Sequence, residues 1–124
     1  MKAISTTKAP GAIGPYSQAI EVGDFIYTSG QIPIDPTTGT FAEGGIKEQT
    51  RQSLQNIKAI LEEAGSAMEK VIKTTVFLSD MNYFADMNSI YAEFFSEPYP
   101  ARSAVAVKTL SKNALIEIEV VATK

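Results

Sequence analysis

The chain has 124 residues, a formal net charge of −3 at neutral pH, and neither cysteine nor histidine. This length favours a single domain around one core, which we expect residues 1–124 to form. The composition excludes disulfides, thiolate chemistry and histidine as a general base or metal ligand, and the acidic balance disfavours nucleic acid as a partner.

The N-terminal stretch MKAISTTKAPGAIG has no apolar core of the kind that signal peptides carry. No apolar run in the chain approaches the roughly 18 residues that a membrane span requires. We therefore expect a cytoplasmic protein without membrane contacts. The pattern also allows a short strand near residues 2–8.

Two strands and a helix are predicted in the first half of the chain. Residues 17–22 and 25–32 have strand-like patterns, and the Gly23-Asp24 pair between them is typical of a tight hairpin. Apolar residues recur at spacings of three and four over residues 46–64, which indicates an amphipathic helix. Gly65 is well placed to end that helix.

A further strand and helix are predicted next. Residues 71–78 are rich in β-branched side chains and should form a strand. Asp80 can cap the N-terminus of a helix over residues 81–95, and Pro98 lies just beyond its end.

Two strands, over residues 102–108 and 115–123, are predicted to follow, with a polar loop between them. The complete order is then β-β-α-β-α-β-β with two right-handed strand-helix-strand crossovers. This order predicts an α+β sandwich in which both helices cover one face of a mixed sheet.

The two-residue period of strands assigns the side chains of the last two strands to faces. The larger aliphatic residues, such as Val105 and Ile118, are expected to face the helices. Arg102, Glu117 and Glu119 would then share the opposite face. That face also keeps apolar residues that no helix covers, so we predict a symmetric homo-oligomer in which these faces meet.

Arg102 begins an otherwise small and apolar strand, and a guanidinium in such surroundings needs a partner. Two alternatives are open from the pattern alone. Arg102 could form an interface ion pair with Glu117 or Glu119 and have no other role. It could instead bind a ligand carboxylate in a cavity beside the small residues Ala104 and Ala106.

Five segments spread in order along essentially the whole chain resemble the RidA/YjgF family of reactive-intermediate deaminases. They are IGPYSQA (13–19), TSGQIP (28–33), VIKTTVFLSDM (71–81), PARSAV (100–105) and IEIEVVA (116–122). The resemblance implies a chorismate mutase-like sandwich with two helices on one face of the sheet. The other face would be buried in a homotrimer with clefts between subunits.

The resemblance also implies an activity, which is hydrolysis of 2-imino and 2-enamino acids to 2-keto acids and ammonia. Two such substrates are 2-iminobutanoate and 2-iminopropanoate. Neither a metal nor an organic cofactor is implied. The expected partners are the small 2-imino or 2-keto acid ligand and further copies of the chain, with no nucleic acid.

Individual residues acquire roles through the same resemblance. Arg102 matches the arginine that binds the substrate carboxylate, and Glu117 matches the glutamate linked to the catalytic water. Tyr16 matches the pocket tyrosine, although it could also be a plain edge residue. The other positions assigned to substrate binding are Ser29, Gly30, Phe84, Asn88 and Ala104. The pair Ser29-Gly30 could alternatively be a bulge or turn that ends a strand.

One position departs from the family pattern, because many members have cysteine where this chain has Ala104. The implied chemistry does not require that thiol. A protonated imine carbon is already electrophilic, so water held about 3 Å away is a sufficient nucleophile. A backbone group at Ala104 can still contact the substrate, whereas pocket shape and substrate preference can change.

Three functions therefore compete at this point. The favoured one is a cofactor-independent imine deaminase. The first alternative is a non-catalytic sensor that binds small carboxylates in the same intersubunit cleft. The second is a protein acting on nucleic acid, since some relatives carry ribonuclease or translation-inhibitor labels. The acidic charge and the lack of histidine weigh against this last function.

Overall fold

The computed structural model describes residues 1–124 and contains eight strands and two α-helices. The strands are β1 (Lys2–Ile4), β2 (Ala19–Val22), β3 (Phe25–Thr28), β4 (Ile34–Asp35), β5 (Thr40–Phe41), β6 (Val71–Leu78), β7 (Ala101–Ala106) and β8 (Ile116–Thr123). The helices are α1 (Ile46–Glu63) and α2 (Phe84–Phe94). Neither α1 nor α2 has the length and apolar sequence that a membrane-spanning helix needs.

Six strands form one mixed sheet in the order β1-β2-β3-β8-β6-β7. Only β6 and β7, which α2 connects, run parallel, and every other neighbouring pair is antiparallel. The last strand, β8, is inserted between β3 and β6. The predicted combination of a mixed sheet with two helices is confirmed. A separate hairpin of β4 and β5, which the sequence did not indicate, precedes α1.

Both helices pack on the same face of the sheet and share its hydrophobic core. Leu54 and Ile57 of α1, Met87 of α2, and Val76 and Ile118 of the central strands are completely buried in one cluster. Burying each such side chain contributes about 1.5–3 kcal/mol. The apolar stripe of each helix therefore fixes how the helix lies on the sheet.

Local polar contacts set several element boundaries. Gly23, at φ 57°, makes the predicted β2–β3 turn, because this left-handed conformation favours glycine. The Asp80 side chain accepts a hydrogen bond from the backbone N–H of Asn82 at 2.8 Å. This contact caps a single 3-10 turn at Met81–Tyr83, and the α-helix begins only at Phe84.

The strand predicted over residues 25–32 ends early. β3 stops at Thr28, and Ser29 and Gly30 leave the sheet ladder before Gln31 pairs with Ile118 as an isolated bridge. The strand therefore ends before Ser29-Gly30, as the alternative of a bulge or turn at this pair predicted. The interruption places Gly30 beside β8, where its surroundings matter for the site.

The predicted assignment of faces is wrong for β7. Arg102 and Ala104 lie opposite the buried Thr74 and Val76 of β6, so they point to the helix side of the sheet. Val105, expected to face the helices, is instead 46% exposed on the open side. The physical reason is that the aromatic residues of α2 fill the space above this edge strand, which leaves room only for small side chains or an extended one.

The assignment is correct for β8. Ile116, Ile118 and Val120 are buried under the helices, whereas Glu117 and Glu119 lie on the open face. Arg102 and Glu117 are therefore on opposite faces of the sheet in one chain. Arg102 therefore forms no ion pair with Glu117 or Glu119 of its own chain. The interface ion pair between two copies, one of the two alternatives, stays open.

The open face of the sheet is apolar over much of its extent. Residues that pair across neighbouring strands project from it, and no other element of the chain covers them. The exposed members of this set are Val22, Phe25, Tyr27 and Val105. Exposed apolar side chains of this kind on an uncovered sheet face are typical of a protein interface.

Candidate functional site

Arg102 is held by three side chains from one stripe of α2. Its Nη1 donates a hydrogen bond to Oδ1 of Asn88 at 2.6 Å. Its guanidinium carbon lies 5.3 Å from the ring centre of Phe84 and 4.7 Å from that of Tyr91. Phe84, Asn88 and Tyr91 follow one another at spacings of four and three, so they share one helix face. We call these four residues the arginine cluster.

No carboxylate of the chain neutralises Arg102. The ion pairs in the structure join Arg51 to Glu93 at 2.6 Å and Lys124 to Glu21 at 3.3 Å. Aromatic faces attract a cation without cancelling its charge. The half-buried guanidinium is therefore free to bind an anion through the donors that Asn88 does not occupy.

A cleft of about 480 Å³ opens beside this guanidinium. Besides Arg102, its lining comes from α2 and from the segment that leads into β7. The other lining residues are Asn88, Tyr91, Ala92, Tyr99 and Pro100. Apolar walls around one fixed charge are typical of sites for small ligands.

Backbone groups on one side of β7 have no strand partner, because β7 is an edge strand. The N–H of Val107 donates to the carbonyl of Leu78 at 2.8 Å. Since alternate residues of a parallel strand direct their backbone groups to the same neighbour, the N–H groups of Arg102 and Ala104 point to the unpaired edge. Ala104 can therefore donate a backbone hydrogen bond irrespective of its side chain.

A second group of the assigned residues lies on the open face. The Glu117 side chain packs against Gly30 so closely that a Cβ on Gly30 would overlap its carboxyl group. Tyr16 and Gly30 line one cleft of about 390 Å³. Ser29 donates its hydroxyl hydrogen to the carbonyl of Ser17 at 2.6 Å, which anchors the segment that carries Tyr16. We call Tyr16, Ser29, Gly30 and Glu117 the glutamate cluster.

The environment of Glu117 favours its protonated form. Partial burial is the main cause that raises the pKa of this carboxyl group, and the negative charge of Glu119 on the same face raises it further. Neither cause is offset by a cation of the chain. A carboxyl group with a raised pKa gives up and takes back a proton more easily near neutral pH than an ordinary surface glutamate.

The structure therefore brings the assigned residues together in two clusters and keeps the clusters apart. Arg102, Phe84, Asn88 and Ala104 lie on the helix side, and the glutamate cluster lies on the open side. A sheet separates them within one chain. No group of three or more acidic side chains is placed to hold a metal ion.

Tyr91 is a contact of Arg102 that the sequence reasoning missed, because an aromatic residue in an amphipathic helix is typical of the core. The available signal was its spacing from Phe84 and Asn88, which places all three on one face. Tyr99, on the segment before β7, was also missed. It lies in an irregular loop, where periodicity gives no information on direction.

Comparisons with known proteins agree along the whole chain. Residues 6–124 match the family model described as Endoribonuclease L-PSP. The chain is 59% identical over 121 residues to a RutC family protein of Pyrococcus abyssi, which covers 98% of this chain and 95% of that protein. It is 50% identical over 126 residues to a Salmonella typhimurium protein named 2-iminobutanoate/2-iminopropanoate deaminase, with coverage of 99% and 98%.

A solved structure supports the same comparison. The crystal structure of E. coli TdcF with bound serine matches this chain with a TM-score of 0.95 and 46% sequence identity. The match covers 100% of this chain and 99% of that chain.

Proposed function

Because this chain belongs to the Endoribonuclease L-PSP family, in which a relative with 50% identity is named 2-iminobutanoate/2-iminopropanoate deaminase, we propose that it hydrolyses reactive 2-imino and 2-enamino acids. The resemblance to the RidA/YjgF family is confirmed. The products would be 2-keto acids and ammonia. The observation that carries the proposal is the unneutralised guanidinium of Arg102, held by α2 beside a cleft.

Arg102 would bind the carboxylate that every 2-imino acid carries. Asn88 occupies Nη1, which leaves the edge formed by Nε and Nη2 for two parallel hydrogen bonds to a carboxylate. Each charge-assisted bond of this kind contributes about 1.5–3 kcal/mol. The unpaired N–H of Ala104 would add a donor for the same ligand. The serine bound to the TdcF relative carries a carboxylate and a nitrogen on the same α-carbon, as a 2-imino acid does.

Glu117 would supply the proton transfers. A water molecule between Glu117 and the imine carbon would lose a proton to the carboxylate while its oxygen bonds to that carbon. Glu117 would then return the proton to the nitrogen of the resulting carbinolamine. Ammonia would leave as the carbonyl group forms and as the ionised Glu117 takes the proton of the carbinolamine hydroxyl group. Neither a metal nor an organic cofactor takes part in these steps.

The two clusters have to meet for this reaction, and one chain cannot bring them together. We therefore propose that each site combines the arginine cluster of one copy with the glutamate cluster of a neighbouring copy. Two observations support this arrangement. The apolar face beside Glu117 is uncovered, and the edge of β7 beside Arg102 has no strand partner. The homotrimer of the chorismate mutase-like type, implied by the sequence resemblance, would give three such sites.

A coupled assay tests the proposed function. A threonine dehydratase generates 2-iminobutanoate in situ, and semicarbazide traps the imine that escapes hydrolysis. We expect the protein to accelerate 2-keto acid release and to lower the yield of semicarbazone, relative to the dehydratase alone. Binding of 2-keto acids without any acceleration would favour the carboxylate sensor instead. Tight RNA binding that weakens steeply with salt would favour the nucleic-acid function.

The pH dependence of the rate should report on Glu117. As a base, Glu117 must be ionised, so the rate should fall as the pH drops through its raised pKa. Glu117→Gln should lower kcat by about 10²–10⁴-fold. Because the charge of Glu119 contributes to the raised pKa of Glu117, Glu119→Gln should keep the plateau rate and move the acidic limb to lower pH. An unchanged acidic limb in Glu119→Gln together with full activity in Glu117→Gln would contradict the assignment.

A further inference from the structure

A buried hydrogen bond lies directly behind the arginine cluster. The hydroxyl groups of Tyr91 and Thr74 are 2.8 Å apart and are hydrogen-bonded to each other. Thr74 is 0% exposed and Tyr91 is 5% exposed. Neither hydroxyl has another hydrogen-bonding partner in the chain. Removing either partner would therefore leave the other as a buried, unsatisfied polar group.

The position of this bond relates it to Arg102 in two ways. Thr74 of β6 is the cross-strand partner of Arg102 of β7, so the two residues are fixed to each other through the sheet. The ring of Tyr91 lies 4.7 Å from the guanidinium carbon of Arg102. The bond therefore connects the Tyr91 ring, which packs on the guanidinium, to Thr74, which lies next to the backbone of Arg102.

Core packing alone does not explain a hydroxyl at this place. Tyr91 also packs on Phe95, with ring centres 4.5 Å apart, and phenylalanine would make the same contact. Burial raises the pKa of the Tyr91 phenol, so the group stays neutral and does not cancel the charge of Arg102. The hydroxyl therefore restrains the ring without competing with an anionic ligand.

We propose that Tyr91 and Thr74 form a positioning pair, which sets the orientation of the Arg102 guanidinium for carboxylate binding. Without the hydroxyl bond, the ring of Tyr91 can tilt, and the Nε and Nη2 edge of Arg102 loses its fixed direction. The inference rests on the proposed function for its catalytic consequence. Its consequence for binding depends only on Arg102.

The experiment compares two probes of similar size, pyruvate, which has a carboxylate, and methyl pyruvate, which does not. We expect Tyr91→Phe to weaken pyruvate binding about fivefold and to leave methyl pyruvate binding unchanged. Thr74→Val should have the same effect, because it removes the same bond from the other side. The double variant should be no weaker than either single variant, since only one bond is lost.

Tyr83→Phe is the matched control, because Tyr83 is partly buried next to α2 and its hydroxyl makes no hydrogen bond in the chain. It should bind both probes like the wild type. In the imine assay, Tyr91→Phe should raise KM and change kcat little, because carboxylate binding and not proton transfer is affected.

Equal losses for pyruvate and methyl pyruvate would show a general effect on the fold and would overturn the proposal. Unchanged pyruvate binding in both single variants would overturn it as well. If the wild-type protein does not hydrolyse imines, the proposed function fails. The pyruvate comparison still tests the positioning pair in that case.

Discussion

Arg102→Ala should abolish imine hydrolysis, with a loss in kcat/KM of about 10²–10⁴-fold. This range corresponds to two charge-assisted hydrogen bonds of about 1.5–3 kcal/mol each. The fold should tolerate the change, because the guanidinium is half-buried and has no acidic partner in its own chain. The measurement is semicarbazone yield and 2-keto acid release in the coupled assay, with thermal unfolding and oligomeric state recorded in parallel.

Arg51→Ala is a matched control for the removal of an arginine. Arg51 lies on α1 and is paired with Glu93 on the outer side of the helices, away from both clusters. Its replacement should leave kcat/KM unchanged. Arg102→Lys should recover only a small part of the activity, because an ammonium group cannot bind a carboxylate through two parallel bonds.

Two results would contradict this assignment of Arg102. If Arg102→Ala retains wild-type activity, the guanidinium does not bind the substrate carboxylate. If the variant loses its oligomeric state and regains activity when reassociated at high concentration, Arg102 has the purely structural interface role.

Two inactive variants should restore activity when they assemble together. Arg102→Ala keeps an intact glutamate cluster, and Glu117→Gln keeps an intact arginine cluster. When the two variants are co-expressed in equal amounts, random assembly should produce both clusters intact in about one quarter of the sites. We therefore expect about a quarter of the wild-type activity, against almost none for either variant alone.

The control for this experiment is co-expression of Arg102→Ala with the double variant that also carries Glu117→Gln. No assembly of these chains contains an intact arginine cluster, so the activity should stay at the background of the single variants. Recovery in this control would indicate contamination or a different active group. If mass spectrometry shows mixed oligomers in the first mixture and the activity does not recover, the site is not shared between copies.

The sequence predicted those parts of the fold that depend on periodicity and turn chemistry. The apolar stripe of α1, with Leu54 and Ile57, and the hairpin at Gly23 were predicted correctly because each depends on residues close in sequence. The β4–β5 hairpin was missed because its two-residue strands are too short to show a period. The 3-10 turn before α2 was included in the predicted helix, because a pattern of three residues does not distinguish a 3-10 turn from the first turn of an α-helix.

The face of Arg102 was not predictable from β7 alone. Alternation separates the residues of a strand into two sets, but it does not say which set faces the helices. The rule that larger aliphatic residues face the core failed here, because Phe84 and Tyr91 of a distant segment fill the space above the strand. For β8, which lies in the middle of the sheet, the same rule gave the correct face.

The resemblance named eight candidate site positions, whereas the structure shows how they are distributed. Arg102 was interpreted as a neighbour of Glu117, and the two are instead separated by the sheet. This separation arises from strand register, which couples Arg102 to Thr74 and Glu117 to Phe77. Register is a long-range property, so a single sequence does not specify it directly.

The placement of Arg102 and Glu117 on opposite sides of one sheet would also make the reaction respond to the amount of protein. A newly synthesised chain that had folded alone would be inert, and its activity would begin only on meeting other copies. Dilution would then stop turnover without unfolding a single molecule, and the specific activity would rise with protein concentration until assembly was complete.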